Sequence, residues 1–348
     1  MADMTPVFDG HNDALLRLYQ SGRRDAEQLF LQGMDGGHVD LPRARKGGLA
    51  GGLFAIFPPP LSNMKVNGKR PQDVTFPQLG QSDALTSTLA MAALLQRLER
   101  ASEGRLAICR NASSIRQAMA SDTLAAVFHI EGAEAVGADL DLIDVLYAAG
   151  LRSLGPVWSR SNIFGHGVPF RFPSSPDIGE GLSEAGKALV RKCNRLGILV
   201  DLSHLNEKGF RDVQAISDAP LVASHSNAHA ICPQSRNLTD WQMCAIRETG
   251  GLAGLNFSVS FLRSDGGTNA NTGLDILLKH LDAMLEALGE GGVALGSDFD
   301  GALVPRSIGD VTGLPKLIEA MRAHGYGEEL IEKIAWRNWL RVLERTIG

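Results

Sequence analysis

The stretch "VFDGHNDALLRL", Val7 to Leu18, decides the fold because it joins a short apolar run to an amphipathic segment through a polar turn. If the chain is still extended here, residues two apart project to the same face, so His11 and Asp13 reach one point beyond a strand end. That is a metal-ligand geometry. The alternative is a strand-to-helix turn in which Asp13 caps the helix, and a lone His-x-Asp pair is more often of that kind. Metal binding therefore requires partners from elsewhere in the chain.

Short apolar runs recur along the chain and indicate a parallel sheet. They are rich in Val, Ile, Leu and Gly, and most are separated by longer segments of helical periodicity. The predicted strands are Pro6–Asp9, Leu49–Phe57, Leu124–Ile130, Leu151–Val157, Gly197–Leu202, Pro220–Ser224, Gly251–Asn256 and Gly292–Gly296. These runs match the number that a closed (β/α)8 barrel requires. We therefore expect an α/β protein built as a single TIM-type barrel.

The segments between the strands predict helices and three long loops. The helices are expected at Asp83–Ala101, Gly186–Leu196 (with Ser183 as its cap), Leu274–Leu288 and Glu328–Thr346. The long segments are Pro58–Ser82, Arg160–Gly181 and Leu262–Thr272. Such loops are commonly lids or binding loops, although surface insertions would look the same. Because no repeat or interdomain linker is visible, residues 1–348 are expected to form one domain with long loops over the carboxyl-terminal face of the barrel.

Composition favours a small-molecule partner. The 348 residues are 44% hydrophobic and 21% charged, with a net charge of −5. This chain can bury a large core, and it has no long Lys/Arg run of the kind that binds nucleic acid or an anionic membrane.

The N-terminus and the cysteines point to the cytoplasm. "MADMTPVFDG" has no basic segment followed by an apolar stretch, and no window is apolar enough for a membrane span. We therefore expect a cytoplasmic location. Cys109, Cys193, Cys232 and Cys244 lie far apart, which predicts reduced and mostly buried thiols.

Polar residues of ligand type follow five of the predicted strands. They occur in "GHND" (His11, Asp13), "HIEG" (Glu131), "DLSH" (His204), "SHS" (His225) and "GSDFDG" (Asp298, Asp300). Catalytic groups in barrels of this class lie at these strand ends. A single histidine there is more often a hydrogen-bonded structural group, but five such strand ends together favour a metal site. Imidazole with carboxylate suits Zn²⁺ and similar ions, and a bridging carboxylate suits a two-metal site.

The motifs "FDGHND", "IEG", "DLSH", "SHS" with "CPQSRN", and "GSDFDG" occur in the order and approximate spacing of the membrane (renal) dipeptidase family. The chain resembles that family, metallopeptidases on a (β/α)8 barrel with two zinc ions, over nearly its whole length. The resemblance implies that His11 and Asp13 bind one zinc, that Glu131 bridges both, and that His204 and His225 bind the second.

By the same matching, Arg236 resembles the clamp for the free carboxylate of the substrate, and Asp298 resembles the acid/base residue. Asp9 and Asp300 are expected either to orient ligands or to form turns. One departure from the family is Trp158, which stands at or near a histidine that many members use to hydrogen-bond the reacting centre. Indole offers one N–H and cannot become cationic, so that histidine's role is not filled here and the pocket is expected to differ.

The remaining histidines have simpler explanations. His129 shares the face of Glu131 and is expected to be a hydrogen-bonded group inside the barrel, the alternative being a competing ligand. His229 is expected near a helix start. His166 lies in a loop whose polarity suits the surface, while Trp158, Phe164, Phe170 and Phe172 are candidates for a lid over a small substrate. His38, His280 and His324 are expected at the surface.

The predicted function is hydrolysis of a dipeptide by a hydroxide that bridges two zinc ions, with tolerance of a D-residue on the carboxyl side implied by the resemblance. The first alternative is a related amidohydrolase acting on N-acyl amino acids or cyclic amides, because fold and metal site alone do not define the substrate. A second alternative is a metal-holding protein without catalysis, which the departure at Trp158 keeps open. The resemblance makes a homodimer plausible.

Overall fold

A computed structural model describes residues 4–60 and 76–348 of the chain. In these residues the strands are β1 (Val7–Asn12), β2 (Leu49–Ile56), β3 (Leu106–Ile108), β4 (Leu124–Glu131), β5 (Leu151–Gly155), β6 (Leu199–Val200), β7 (Val222–Ala223), β8 (Leu252–Leu255) and β9 (Val293–Leu295). Each predicted run overlaps one of them, and β1 and β4 extend beyond their predicted ends. The sequence analysis missed β3, whose three residues are too short to stand out by periodicity.

The strands form a curled parallel sheet that closes into a ring. Its two ladders are β1-β2-β4-β5-β6 and β7-β8-β9. Parallel bridges join them at both ends, between Asp201 and Val222 and between Asn12 and Phe299. The short strand β3 pairs only with the start of β4. The expected α/β barrel is therefore confirmed, with β3 as an addition outside the ring.

Alternate residues of the strands enter two separate apolar clusters. On β4, Ala125 and Val127 belong to one cluster, while Phe128 and Ile130 belong to the other. The first cluster contains side chains from strands on opposite sides of the ring, which places it inside the ring. We call it the floor cluster. Its main members are Phe8, Leu53, Val127, Leu199, Val222, Leu252, Ala294, Trp339, Leu340 and Leu343.

Glycines on neighbouring strands make room for the backbone at Ser224, which follows β7. A Cβ atom at Gly10, Gly254 or Gly296 would lie 2.4, 2.0 or 1.9 Å from the carbonyl oxygen of Ser224. No side chain fits at such distances, so these positions of β1, β8 and the end of β9 must be glycine. The lack of side chains at these positions lets the Ser224 carbonyl, directly before His225, lie close to β1, β8 and the residue after β9.

Helices surround the ring. They are α1 (Ala14–Gln20), α2 (Ala26–Gln32), α3 (Leu41–Gly47), α4 (Gln81–Ala101), α5 (Ala112–Ala120), α6 (Asp141–Ala149), α7 (Glu184–Leu196), α8 (Glu207–Ile216), α9 (Asp240–Glu248), α10 (Val259–Leu262), α11 (Leu274–Leu288), α12 (Leu314–His324), α13 (Glu328–Glu332) and α14 (Asn338–Thr346). A π-helical turn, Lys333–Arg337, joins the last two. The four helices expected from periodicity are present, and Ser183 caps α7 by accepting the N–H of Gly186 at 3.0 Å.

The long segments lie where the sequence placed them, as far as they are described. Part of the first, residues 61–75, lies outside the described residues. No helix among the described residues combines the length and apolar character that crossing a membrane requires. The organisation of residues 1–348 as one domain stays a prediction.

Candidate metal centre

Five side chains from the strand ends converge inside the carboxyl-terminal mouth of the barrel. We call His11, Asp13, Glu131, His204 and His225 the donor cluster. Glu131 Oε1 lies 3.6 Å from His11 Nε2, 2.8 Å from His204 Nε2 and 3.4 Å from His225 Nε2. His11 Nε2 lies 3.4 Å from Asp13 Oδ2, and the Nε2 atoms of His204 and His225 are 3.1 Å apart. Glu131 therefore stands between a His-Asp pair and a His-His pair.

His11 reaches this point through an irregularity in β1. Simple alternation from Phe8 would direct Gly10 inward and His11 away from the interior, but the pairing of β1 with β2 shifts register between Asp9 and Asn12. The shift turns His11 towards Glu131. Asp13 precedes α1 but makes no side-chain cap hydrogen bond. The helix-cap alternative is thus not what the structure shows.

The donors fit a metal ion. His11 Nδ1, His11 Nε2 and Asp13 Oδ1 are buried and have no hydrogen-bond partner among the described residues. Unpaired buried polar atoms are costly unless a ligand satisfies them. Tetrahedral zinc with bonds of about 2.0–2.2 Å would place its ligand atoms about 3.3–3.6 Å apart, close to most of the separations above. The residues present therefore suit a first-row metal ion.

The charges of the cluster also favour a cation. Burial alone would lower the pKa of His11, but the carboxylates of Glu131 and Asp13 outweigh burial and raise that pKa to about 10. Burial raises the pKa of Glu131 well above its usual range, and it lowers the pKa of His204 and of His225 well below theirs. A positive charge is thus favoured beside the two carboxylates, while His204 and His225 are kept neutral as metal binding requires.

Asp298 borders the His11–Asp13 side of the cluster. One donor atom from each of His11, Asp13 and Asp298 lies within 4.8 Å of the others. Asn256 Nδ2 donates to Asp298 Oδ2 at 3.0 Å. Burial raises the pKa of Asp298, and this effect outweighs the charge of His11. A Cβ atom at Gly301 would lie 2.1 Å from Asp13 Oδ2 and 2.6 Å from Asp298 Oδ1, so the chain comes close to both carboxylates here.

Asp9 and Asp300 hold backbone rather than the donors' side chains. Asp9 accepts from the N–H and the hydroxyl of Ser297, both at 2.7 Å, and so ties β1 to the loop that carries Asp298. Asp300 accepts from the N–H groups of His38 and Val39 at 2.7 and 3.1 Å. Both aspartates therefore shape the strand-end loops.

Serine hydroxyls contact the rear nitrogens of two donor histidines, and the sequence analysis missed them. Ser159 Oγ lies 2.8 Å from His204 Nδ1, and Ser224 Oγ lies 2.7 Å from His225 Nδ1. Such contacts orient an imidazole towards a metal. "SHS" contained the only local signal, a serine adjacent to a proposed ligand. Ser159 is distant in sequence from His204, so its role depends on the fold.

Arg236 is buried against the His204–His225 side. Its Nη1 atom donates to the Ser203 carbonyl and, at 3.0 Å, to Ser226 Oγ, while Nη2 lies 3.3 Å from His204 Nε2. Burial lowers the pKa of Arg236 to about 10, so the guanidinium remains charged at neutral pH. Its Nε atom has no hydrogen-bond partner among the described residues.

A cavity of about 370 Å³ opens onto the donors. Asp13, Glu131, His204 and Asp298 line it, and its other walls are largely aromatic. These walls include Phe57, Trp158, Phe170, Phe172 and Phe261, with Gly266 and Thr268 from the third long segment. The second and third long segments thus form part of the pocket, as expected for binding loops. Phe164 is a correction to the lid set, because its side chain is fully buried in the core.

Trp158 lies at the centre of the aromatic wall. Its ring centroid is 4.8 Å from Phe57, 4.4 Å from Phe76, 5.6 Å from Phe170 and 5.8 Å from His204. The tryptophan therefore presents a large apolar surface beside the donor cluster.

The other histidines correct two expectations. His280 is not a surface residue: it is fully buried on α11, where Nδ1 accepts the N–H of Ala228 at 3.2 Å and Nε2 lies 2.9 Å from the Leu262 carbonyl. His38 is half-buried, and its Nδ1 accepts the N–H of Asp300 at 2.8 Å. A local sequence window gives no sign of either partner. His324 is exposed as expected.

Two further histidines lie in loops away from the donors. His229 lies in a turn rather than at a helix start, with Nε2 2.9 Å from the Ser174 carbonyl. His166 contacts Ser161 Oγ at 3.1 Å and borders a separate cavity of about 210 Å³. Neither is part of the donor cluster.

The cysteines are free thiols. Cys109, Cys193 and Cys232 are buried, and Cys244 is half-buried. The expectation of reduced, mostly buried thiols agrees with the structure.

Comparison with known proteins shows which proteins the chain is similar to. The chain is similar to a metallopeptidase from Rhodobacter sphaeroides liganded with a phosphinate mimic of the dipeptide L-Ala-D-Ala, at 53% identity and a TM-score of 0.95, covering 99% of this chain and 100% of that chain. It is equally similar to the structure of dipeptidase AC, a metallopeptidase of family M19, at 53% identity and a TM-score of 0.96 with the same coverage. An uncharacterized protein in the pqqA 5′ region of Klebsiella pneumoniae is 48% identical over 254 residues, which are 73% of this chain and 94% of that protein.

The match extends along nearly the whole chain. Residues 1–347 fit the family described as "Membrane dipeptidase (Peptidase family M19)", which confirms the resemblance seen in the strand-end motifs. The chain therefore belongs to the membrane dipeptidase family, peptidase family M19, and is a metallodipeptidase, a hydrolase of peptide bonds.

Proposed function

We propose that the chain hydrolyses dipeptides with two zinc ions held by the donor cluster. The observation that carries the proposal is the convergence of these five donors and Asp298 beside one cavity whose walls include aromatic side chains. His11, Asp13 and Glu131 would hold one ion, and Glu131, His204 and His225 the other. The central place of Glu131, within 3.6 Å of all three histidines, supports its role as the shared ligand.

Bound zinc would supply Lewis acidity, which lowers the pKa of a water and polarises the scissile carbonyl. Asp298 would move the proton. Asn256 already occupies Oδ2, which leaves Oδ1 to accept the proton of the attacking water and to pass it to the leaving amine.

Arg236 would hold the terminal carboxylate of the substrate. Its Nη2 atom donates to the His225 carbonyl at 3.2 Å and also lies 3.3 Å from His204 Nε2. Because the lone pair of His204 Nε2 would bind zinc, the N–H that faces it would be left for the substrate carboxylate. The unpartnered Nε atom beside it offers the second hydrogen bond of a bidentate pair. Binding of the free carboxylate in this way would limit substrates to short peptides.

Trp158 would contact a substrate side chain through the aromatic wall. A cavity of about 370 Å³ falls within the range of small-molecule sites, roughly 300–1,000 Å³. The ligand of the Rhodobacter sphaeroides neighbour, a mimic of L-Ala-D-Ala, supports a dipeptide substrate with tolerance of a D-residue at its carboxyl end.

A substrate panel with metal analysis tests the proposal. L-Ala-L-Ala and L-Ala-D-Ala should be hydrolysed, while N-acetyl-alanine of either chirality and the cyclic dipeptide should be turned over poorly. Zinc should be close to two ions per chain, and chelation should abolish hydrolysis. Faster turnover of N-acetyl-alanine or the cyclic amide would favour the amidohydrolase alternative. Bound metal without hydrolysis of any amide would favour a metal-holding protein.

Two further expectations stay predictions. They are the cytoplasmic location and the homodimer.

A further inference from the structure

A second polar pair lies directly below the donor cluster. His129 and Asp201 are both buried inside the ring, and His129 precedes Glu131 by two residues on β4. The proposed function uses neither of them as a ligand. One nitrogen of His11, one of His129 and one oxygen of Asp201 nevertheless lie within 4.8 Å of one another.

His129 is held on one side and directed towards Asp201 on the other. Its Nδ1 atom lies 2.9 Å from Ser153 Oγ, and its Nε2 atom, which has no hydrogen-bond partner among the described residues, lies 3.6 Å from Asp201 Oδ2. A neutral histidine ring carries one N–H. If the Ser153 hydroxyl donates to Nδ1, that N–H is on Nε2 and faces the Asp201 carboxylate.

Asp201 connects this pair to His225. Its carboxylate accepts hydrogen bonds from the N–H and hydroxyl groups of both Ser203 and Ser224. Ser224 Oγ is also 2.7 Å from His225 Nδ1. An unbroken set of polar contacts therefore runs from Asp201 to the rear nitrogen of one donor histidine.

His129 connects the pair to His11. The two rings meet edge to face, with centroids 5.4 Å apart and an interplanar angle of 79°. His11 Nε2 faces Asp13 and Glu131, while Nδ1 is buried with no hydrogen-bond partner among the described residues. A metal-binding imidazole is normally held by a contact to its second nitrogen, either directly or through a water.

Resting on the proposed two-zinc site, we propose that His129 and Asp201 are positioning residues that hold His11 and His225 from below and so couple the two halves of the donor cluster. A third metal ion is the other use of such a triad. The carboxylate of Asp201 already accepts four hydrogen bonds, three on Oδ1 and one on Oδ2, and Oδ2 also faces His129 Nε2, so little capacity is left for an ion. Orientation of the ligands is therefore the role that the contacts favour.

Zinc titration of the metal-free protein tests this inference. His129→Asn keeps a polar atom near the Nδ1 position but lacks one at Nε2, whereas His129→Gln reaches the Nε2 position. His129→Asn should weaken zinc binding about 10- to 100-fold, the usual effect of removing a contact behind a ligand. His129→Gln should stay close to the wild type. The melting temperature of each metal-free variant shows whether it is folded.

A second variant and a control complete the test. Ser224→Ala breaks the contact to His225 from the other end, and it should weaken zinc binding similarly even if His129→Asn does not fold. His280→Gln changes another fully buried histidine, away from the donors, and should leave the titration unchanged.

The outcomes separate the two proposals. Wild-type binding curves in both His129→Asn and Ser224→Ala would overturn the inference and leave the proposed function intact. Equal losses in the Asn and Gln variants would show that the effect needs only the ring contact between His129 and His11 and not the group that faces Asp201, and a third ion that disappears with His129 would make the triad a metal site. Either result overturns the proposed coupling of the two halves. A wild-type protein that binds no zinc would overturn both proposals.

Discussion

The lower and upper parts of the barrel interior are built on the same strands but from opposite kinds of residue. On β4, two-residue steps lead from Val127 in the floor cluster to His129 and then to Glu131. On β6 and the residue that follows it, one such step leads from Leu199 to Asp201. Along both strands, the side chains that face the interior therefore change from apolar to polar within one or two such steps.

The difference separates stability from chemistry. Side chains of the floor cluster are apolar apart from the Trp339 indole, whose N–H donates to the Leu295 carbonyl at 2.9 Å, so their burial favours folding. The donor cluster is equally buried, but desolvation of its carboxylates and imidazoles costs free energy. Unpartnered atoms at His11 and Asp13 are the clearest sign that this part of the interior is arranged for a ligand.

Among these variants, Asp298→Asn should have the largest effect, and that effect should be confined to catalytic activity. Asparagine is nearly isosteric but cannot take up the proton, so kcat should fall about 10²- to 10⁴-fold, the usual range for an acid/base group. Zinc content and the urea midpoint should stay at wild-type values. Loss of zinc in step with activity would make Asp298 chiefly a ligand, and near-normal turnover with zinc retained would remove it from the mechanism.

Leu53→Ala should show the reverse behaviour. Leu53 is fully buried in the floor cluster, on a strand that supplies none of the proposed ligands. The cavity left behind should lower the free energy of unfolding by about 2–5 kcal/mol, measured by urea denaturation. At a temperature where the variant is folded, kcat and zinc content should remain close to wild type. A large loss of kcat in folded protein would show that the two parts are not separable.

Arg236→Met tests a buried charge that serves the substrate. Methionine keeps much of the length but removes charge-assisted hydrogen bonds worth roughly 1.5–3 kcal/mol. The value of kcat/KM for free dipeptides should then fall about 10- to 150-fold. Amidated dipeptides lack the carboxylate and should lose much less. If both substrate types lose equally, the guanidinium acts through its contacts with Ser203 and Ser226 instead.

His280 should contribute a smaller, pH-dependent effect outside the barrel interior. Burial lowers its pKa from 6.5 to about 4, so between these values the unfolded state binds a proton that the folded state does not. Stability should therefore rise with pH through this window, with a contribution of about 2 kcal/mol between pH 5 and 6.5. In His280→Gln, the free energy of unfolding measured by urea denaturation should rise less steeply with pH, and the difference from the wild type should equal that contribution. An unchanged slope would show that His280 does not titrate as its burial requires.

Much of the fold could be predicted because strands and helices have regular periods. The ring strands are short apolar runs, and the helix Leu274–Leu288 was predicted with the bounds that the structure shows. Misses occurred where a segment was too short for a period, as for β3, or where burial came from distant partners, as for His280.

The sequence by itself determined which residue types stand at the strand ends, and parallel strands of one barrel necessarily bring those ends to one face. This is why the donor cluster and Asp298 could be named from short motifs. Only the tertiary structure decided how His11 turns inward, because that depends on the register shift between β1 and β2. It also decided that the Ser224 carbonyl lies against three glycines and that Asp201 lies between His129 and the serines. These arrangements arise from contacts between segments far apart in the chain, which no local pattern records.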